Sequence, residues 1–364
     1  MTTTKKNIAL IFGGPSTEHE VSIVSAMNVS KAMDNELFEK TLIGISKEGH
    51  WYQIQSDDDF SKIKVIDQEH VLPSFEPITL IREKSKVYIL NLKSFKKSVL
   101  DAAFPVLHGA FGEDGCIQGF FELLQLPYVG CGVLGSAVGM DKEIMKRLLA
   151  QAQIPNSPYL VLKRNKPHSF LQISETLGLP FFIKPARTGS SVGVHKIRNA
   201  EDFAQGLEDA FKYDDKILAE KFIKGREIEC SVLGSNDHPK ASLPGEIVPQ
   251  HEFYSYDAKY LDANGALLVI PAELSKSVTL EVQEMAKKTY STLECEGLSR
   301  VDFFLTEKNE LFVNEINTLP GFTKISMYPK MWEASGLNYK NLITDLIHLA
   351  FTSAERKARL ITSL

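Results

Sequence analysis

LSRVDFFLTEKNELFVNEIN, residues 298–317, alternates apolar and polar side chains on both sides of a Glu-Lys-Asn break. Period-two alternation around a short polar turn is the pattern of an antiparallel hairpin whose two faces meet different surroundings. Arg300, Asp302 and Phe304 share one face of the first strand; Val313, Glu315 and Asn317 share one face of the second. Folding about Lys308-Asn309 sets Asp302 opposite Glu315, with the Asn317 amide beside them. Phe303, Leu305 and Phe312 supply the buried side. Carboxylates at cross-strand distance repel unless a cation lies between them. A small all-oxygen donor set suits Mg²⁺, which keeps several waters and takes further oxygens from substrate phosphates. A solvated strand face is the plainer reading of the same residues.

Working outward, FFIKPARTGSSVGVHKI (181–197) reads as a buried strand delivering Lys184, a glycine-serine turn, and a second strand. Gly189 and Gly193 let the backbone approach a phosphate, and successive N–H groups can line an anion cavity. No G-x-x-x-x-G-K-[ST] loop is present, so this is either a different phosphate lid or an ordinary hairpin. In ILAEKFIKGREIECSV (217–232), Glu220 and Glu227 flank a strand-turn-strand corner that offers a nucleotide a backbone edge, an apolar wall and a carboxylate for ribose, or else simply carries surface charges. FGGPSTEHEVS (12–22) puts Glu18 on the first helical turn after a strand. There it would bind an ammonium group or merely complement the helix dipole. His108 stands in the glycine-rich loop HGAFGEDG (108–115), as a ligand-facing residue or a satisfied loop histidine. FYSYDAKYLDANG (253–265), with four aromatics and Lys259, has the composition of a lid that excludes water or of a packed surface loop.

Around these stretches the chain alternates strand and helix patterns. Strands are expected at Asn7–Phe12, Lys40–Ser46, Trp51–Ile54 and Ala102–Leu107, and Thr17-x-x-Glu20 has the spacing of a capping box opening a helix to about Met33. Helices are expected near Asp141–Gln153, over Glu201–Tyr213 with Asn199 as cap, around Val278–Leu293, and from about Asn341. Strand-turn-helix repetition suggests ligands at the carboxyl ends of strands. The fold class is α/β with mixed α+β character, in three units: 1–130, 131–225 and 226–364. The 364 residues are 43% hydrophobic and 24% charged with a net charge of −5, an ordinary globular mixture. No basic stripe points to nucleic acid, and no run of about 18 apolar residues points to a membrane span. The short apolar run ending in Gly13-Gly14 is a strand, not a signal peptide. The four cysteines are scattered, as free thiols in a reducing cytoplasm would be.

Taken together, GGPSTEHEVS, HGAFGEDG, MDK, IKPARTGSSVGV, EKFIKGREIE, FYSYDAKY, SRVDFF and NEINTLPGFTKISMYP resemble the D-alanine–D-alanine ligase family, of ATP-grasp fold, in the family's order and over almost the whole chain. The resemblance implies an N-terminal Rossmann-like domain that binds the first substrate, followed by two ATP-grasp subdomains. It implies that Lys142 and Lys184 hold ATP phosphates, and that Asn314 also lies at the nucleotide. Glu220, Lys221 and Ile223 meet the adenine, and Glu227 the ribose. Asp302, Glu315 and Asn317 would hold two Mg²⁺ (or Mn²⁺) ions. Glu18 would take the ammonium of the first D-alanine, with His108 close by, and Ser190 and Tyr260 would tie the serine loop and lid to it. Lys259 would reach the transferred phosphate or the second substrate. Ser326, with Met327 after it, would hold the second carboxylate, and Arg300 and the Gly321 N–H would form an oxyanion hole.

The implied activity is ATP- and Mg²⁺-dependent formation of D-alanyl-D-alanine through a D-alanyl phosphate, for peptidoglycan precursors, by a cytoplasmic homodimer. Relatives that make D-alanyl-D-lactate usually lack the tyrosine found here at Tyr260, which favours the dipeptide; D-serine as acceptor stays open. A nucleotide-sensing module would be expected to lack the metal carboxylates or Arg300. A dinucleotide oxidoreductase would open on G-x-G-x-x-G, which is absent.

Overall fold

The computed structural model describes residues 5–249 and 266–361. Each stretch of the sequence builds a sheet of its own. The first sheet holds β1 (Lys6–Gly13), β2 (Phe38–Ile45), β3 (Trp51–Ile54), β4 (Glu76–Glu83), β5 (Lys86–Asn91), β6 (Lys97–Leu100) and β7 (Ala102–Val106), in the order β6-β5-β4-β3-β2-β1-β7. β1 lies between parallel neighbours β2 and β7, and its run Ile8–Phe12 is wholly buried, as a strand covered on both faces requires. The carboxyl ends of β1 and β7 deliver Gly13-Gly14 and Leu107-His108 side by side. Gly13 sits at φ +88°, where a Cβ would lie 2.3 Å from the Ile45 carbonyl oxygen, so glycine is required.

The second sheet is antiparallel, in the order β10-β9-β11-β8, from β8 (Tyr159–Lys163), β9 (Phe181–Pro185), β10 (His195–Ile197) and β11 (Lys216–Lys221). The Asn199 side chain caps the helix Ala200–Ala210 by accepting from Asp202 N–H at 2.9 Å, as the sequence suggests. The third sheet runs β15-β14-β12-β16-β17, with β13 (Pro239–Ala241) beside β12 (Arg226–Gly234). Its other members are β14 (Gly245–Pro249), β15 (Ala266–Val269), β16 (Gly297–Leu305) and β17 (Leu311–Asn317).

The structure departs from the sequence reading at four points. Asp302 does pair with Glu315, but a bulge follows, so Phe303 meets Val313 and Phe304 meets Phe312. Val313 therefore turns into the core with Phe303, Leu305 and Ile316 instead of sharing the face of Glu315 and Asn317. Phe312 is half-buried on the side of Phe304. One extra residue in one strand reverses the alternation beyond it. The Thr17/Glu20 capping box does not form, because the helix His19–Ala32 starts only after Glu18 and has no side-chain cap. The helix expected near Asp141–Gln153 is present as Lys142–Gln151, capped by the Asp141 carboxylate, which accepts from Glu143 and Ile144 N–H; a further helix, Val133–Met140, precedes it without a counterpart in the sequence reading. A helix at Met327–Ala334 has no counterpart in the sequence reading. Its Pro329 is tolerated because it falls in the first turn, where the missing N–H has no helical acceptor.

The cores also cross the sheets. The C-terminal helix Tyr339–Ala358 returns Leu342, Ile343, Leu346 and Ile347 to the first sheet. Met145 and Leu149 pack into the third core.

Candidate active site

Lys184 leaves β9 one strand away from Glu220 on β11, in register with Leu218. Its Nζ lies 2.6 Å from Glu220 Oε2 and donates to Asn314 Oδ1 at 3.4 Å. The other oxygen, Oε1, meets Lys146 Nζ at 3.2 Å. Lys146 is fully buried, and burial pushes its pKa down to about 8. Burial alone would raise the Glu220 carboxyl, but the two ammonium groups outweigh it and hold the pKa below the usual range. Lys142 opens its helix nearby, its backbone N–H on the Ala186 carbonyl. Its Nζ donates to the Thr188 carbonyl at 2.8 Å and lies 3.5 Å from Glu315 Oε2. Two lysines thus flank the Gly/Ser turn that follows Lys184.

On the third sheet Glu229, Asp302 and Glu315 occupy one rung across β12, β16 and β17. Arg300, two residues before Asp302, forks onto it with Nε–Oδ1 and Nη2–Oδ2 distances of 2.7 Å, and its Nε is 2.9 Å from Glu229 Oε2. Burial works against the Arg300 charge, but Asp302 and Glu229 more than offset it and raise its pKa. Asn317 Nδ2 donates to Asp302 Oδ2 at 2.9 Å. Among the described residues no three His, Cys, Asp or Glu side chains converge as a metal cluster. The donors expected from the sequence are two carboxylates and an amide, all oxygen-bearing, and Arg300 and Lys142 now supply their counter-charge. That set fits a hard divalent cation.

The turn that carries Glu18 and the Gly/Ser loop touch. Ser190 Oγ donates to Glu18 Oε1 at 2.6 Å, across 172 residues of sequence. Ser190 and Ser191 adopt positive φ values of 53° and 59°, the left-handed backbone that turns the loop back. Gly109 closes in from the other side, where a Cβ would lie 3.1 Å from Glu18 Oε2. His19 holds this turn from beneath. Its Nδ1–H donates to the Gly14 carbonyl at 2.8 Å and its Nε2 accepts from Ile66 N–H at 3.0 Å, a pairing that fixes the neutral tautomer. Burial lowers its pKa in agreement.

His108 is buried and spans two regions of the chain. Nδ1–H donates to the Leu319 carbonyl at 3.1 Å, and Nε2 meets Ser25 Oγ at 3.2 Å. Burial disfavours its protonation, but Glu113 beside it, with Glu18 beyond, raises its pKa. Ser25 Oγ in turn accepts from Phe322 N–H, so the loop carrying Gly321 is tied to the helix His19–Ala32. A Cβ on Gly321 would lie 2.8 Å from Ser326 Oγ, so the two residues form one cradle. Ser326 Oγ accepts from Thr323 N–H at 2.9 Å. The Met327 side chain packs with Ile247 and Met331 in a buried cluster rather than lining the cleft.

Of the remaining expected residues, Glu227 and Ile223 are half-buried and Lys221 is exposed, its N–H on the Pro158 carbonyl. Lys259 and Tyr260 lie outside the described residues, as does the rest of 253–265. Sequence reasoning passed over Lys146, Glu229 and the Arg187–Asp214 pair. Arg187 donates through its backbone N–H at 2.9 Å and its side chain at 2.5 Å, anchoring the start of the Gly/Ser turn. Lys146 falls one helical turn after Lys142, a spacing that could have marked it.

With this geometry in place, comparison with known proteins decides the family. The family model described as "D-ala D-ala ligase N-terminus" matches residues 7–131, and "D-ala D-ala ligase C-terminus" matches 148–348. The chain belongs to the D-alanine–D-alanine ligase family. A D-alanine–D-alanine ligase from Shouchella clausii is 50% identical, over 99% of this chain and 98% of its own length. The solved D-alanine–D-alanine ligase from Coxiella burnetii superposes with a TM-score of 0.87 at 38% identity, covering 98% of this chain and 97% of that one. The VanG D-Ala:D-Ser ligase from Enterococcus faecalis superposes at 0.84 with 35% identity, covering 95% and 100%. The chain thus has the family's ATP-grasp fold and is an ATP-dependent ligase. Among the described residues no helix is long and apolar enough to cross a membrane.

Proposed function

We propose that this chain is a D-alanine–D-alanine ligase that activates one D-alanine carboxylate as an acyl phosphate and joins it to the amine of a second. The observation that carries this reading is the Ser190–Glu18 bond of 2.6 Å, which seats the loop after Lys184 on the turn proposed for the first substrate. The phosphate to be transferred and the carboxylate that receives it then lie under one lid.

In this reading Lys142 and Lys184 take the ATP phosphates, with Asn314 steadying Lys184. Glu220, Lys221 and Ile223 border the adenine, and Glu227 the ribose. Asp302, Glu315 and Asn317 hold two Mg²⁺ or Mn²⁺ ions, whose chemistry is to neutralise charge on the phosphoryl oxygens. Glu18 binds the first ammonium, beside His108. The first carboxylate oxygen attacks the γ-phosphorus, and the bond to the bridging oxygen breaks toward ADP. The second D-alanine, its carboxylate held by Ser326 and by backbone at Met327, brings a neutral amine to the acyl carbon. Arg300 and the Gly321 N–H meet the oxyanion, a contribution worth roughly 2.7–4 kcal/mol per donor. Collapse expels phosphate carrying the original carboxylate oxygen. An acyl phosphate hydrolyses if water enters, which gives closure by the Ser190 loop, Lys259 and Tyr260 its purpose.

The division into 1–130, 131–225 and 226–364, with the first substrate on the first unit, is part of the proposal and follows the three sheets. So are the homodimer and the cytoplasmic location. Similarity to a D-Ala:D-Ser ligase keeps D-serine in view as acceptor. The test is phosphate release from MgATP with D-alanine, L-alanine, or D-alanine plus D-serine or D-lactate, with products weighed by mass spectrometry. D-alanyl-D-alanine from D-alanine alone is expected; no product from any combination would overturn the reading.

A further inference from the structure

We propose that Glu229 is a positioning residue that holds the Arg300 guanidinium and thereby leaves Asp302 available to a divalent cation. The inference rests on the placement of Asp302 and Arg300 under Proposed function. Three carboxylates, Glu229, Asp302 and Glu315, share one rung of the third sheet, and Arg300 reaches the first two. The Arg300 Nε–H is aimed at Asp302 Oδ1, so the 2.9 Å approach of Nε to Glu229 Oε2 is an ion pair rather than a directed hydrogen bond.

Asp302 is thereby given two tasks that compete. Its oxygens accept both donors of the Arg300 fork and the Asn317 amide, yet they are the oxygens a cation would need. A cation drawn onto Asp302 also repels the guanidinium beside it. The Arg300 side chain is only 19% exposed and a guanidinium keeps its proton, so it needs another carboxylate when Asp302 is engaged. Glu229 is 5% exposed and stands on the far side of Arg300's strand from Glu315. It is placed to draw the fork away from the metal side without releasing it. A buried pair of this kind adds little to stability compared with apolar packing, so a functional reason for it is called for.

The test is Mn²⁺ binding to the enzyme–ADP complex, followed by the electron paramagnetic resonance of free Mn²⁺, with steady-state kinetics alongside. Glu229→Gln is expected to weaken Mn²⁺ binding and lower kcat roughly 10–100-fold, the range typical of outer-shell partners of a metal site. Glu229→Asp, which keeps the charge, is expected to restore part of both and covers the case in which the glutamine variant does not fold. In an Arg300→Met background, adding Glu229→Gln should cost no further Mn²⁺ affinity, because the competition it relieves is gone. Wild-type Mn²⁺ binding in Glu229→Gln, or an equal loss in the Arg300→Met background, would overturn the inference. Asp302→Asn is the control: if it binds Mn²⁺ normally, the metal placement itself is wrong, a failure separate from that of Glu229.

Discussion

Two buried charge clusters meet at the cleft with opposite excess. At the second sheet two ammonium groups, Lys184 on a strand and Lys146 on the helix Lys142–Gln151, share the single carboxylate of Glu220. On the third sheet one guanidinium, Arg300, faces the two carboxylates of Asp302 and Glu229. Lys184 to Asn314 and Lys142 to Glu315 join them. Buried charge left unbalanced is costly unless a ligand completes it. The first cluster therefore suits an anion and the second a cation, the two halves of a metal-bound polyphosphate. Sign of excess, more than any single residue, separates the two sides of this site.

The harshest way to break that contrast is to neutralise the cation side. Asp302→Asn or Glu315→Gln is expected to cut Mg²⁺-dependent turnover by more than roughly 100-fold, beyond the usual effect of an outer-shell change. Normal turnover in either would leave the excess negative charge without a purpose. Next is the contact between the Ser190 loop and Glu18. Ser190→Ala removes a hydrogen bond to a carboxylate, worth about 1.5–3 kcal/mol. A loss of roughly 10–100-fold in kcat/KM for D-alanine should follow, with the affinity for ATP measured by equilibrium binding little changed.

The anion side is sharpened by pH. Lys146 titrates at about 8 when folded, against 10.5 ordinarily. Between those values the unfolded chain holds a proton that the folded chain has lost, so this group makes the fold more stable as pH rises through that window. Over the same rise Glu220 loses one of its two cations. KM for ATP is expected to climb above pH 8 in the wild type and stay level in Lys146→Arg, whose guanidinium keeps its charge. Parallel profiles would remove Lys146 from the account. The smallest effect belongs to Arg187→Ala. The Arg187 side chain is about half exposed, so solvent screens its pair with Asp214. A loss of about 0.5–1 kcal/mol is expected in denaturant melts, and a larger one would show that the turn carries more than its local geometry suggests.

What the sequence disclosed follows the range of the interactions involved. The 298–317 hairpin was legible because alternation and turn chemistry are local, and the Asp302–Glu315 pairing came with them. The bulge after that pair was not, since an extra residue has no compositional mark, and Val313 and Phe312 were put on the wrong faces for that reason. The Thr17/Glu20 pattern misled because the close approach of Gly13 and Gly14 to the sheet delays the helix until after Glu18. Lys146 reads as a solvated helix position until β11 brings Glu220 over it. Arg187 and Asp214 are 27 residues apart, and only the fold of the second sheet joins them.

The most direct test of the central claim follows one oxygen. D-alanine labelled with ¹⁸O in its carboxylate is turned over with unlabelled MgATP in unlabelled water, and the released phosphate is weighed. The account predicts phosphate carrying one ¹⁸O per dipeptide formed, because the attacking carboxylate oxygen leaves with phosphorus. Unlabelled phosphate released in step with dipeptide would contradict it.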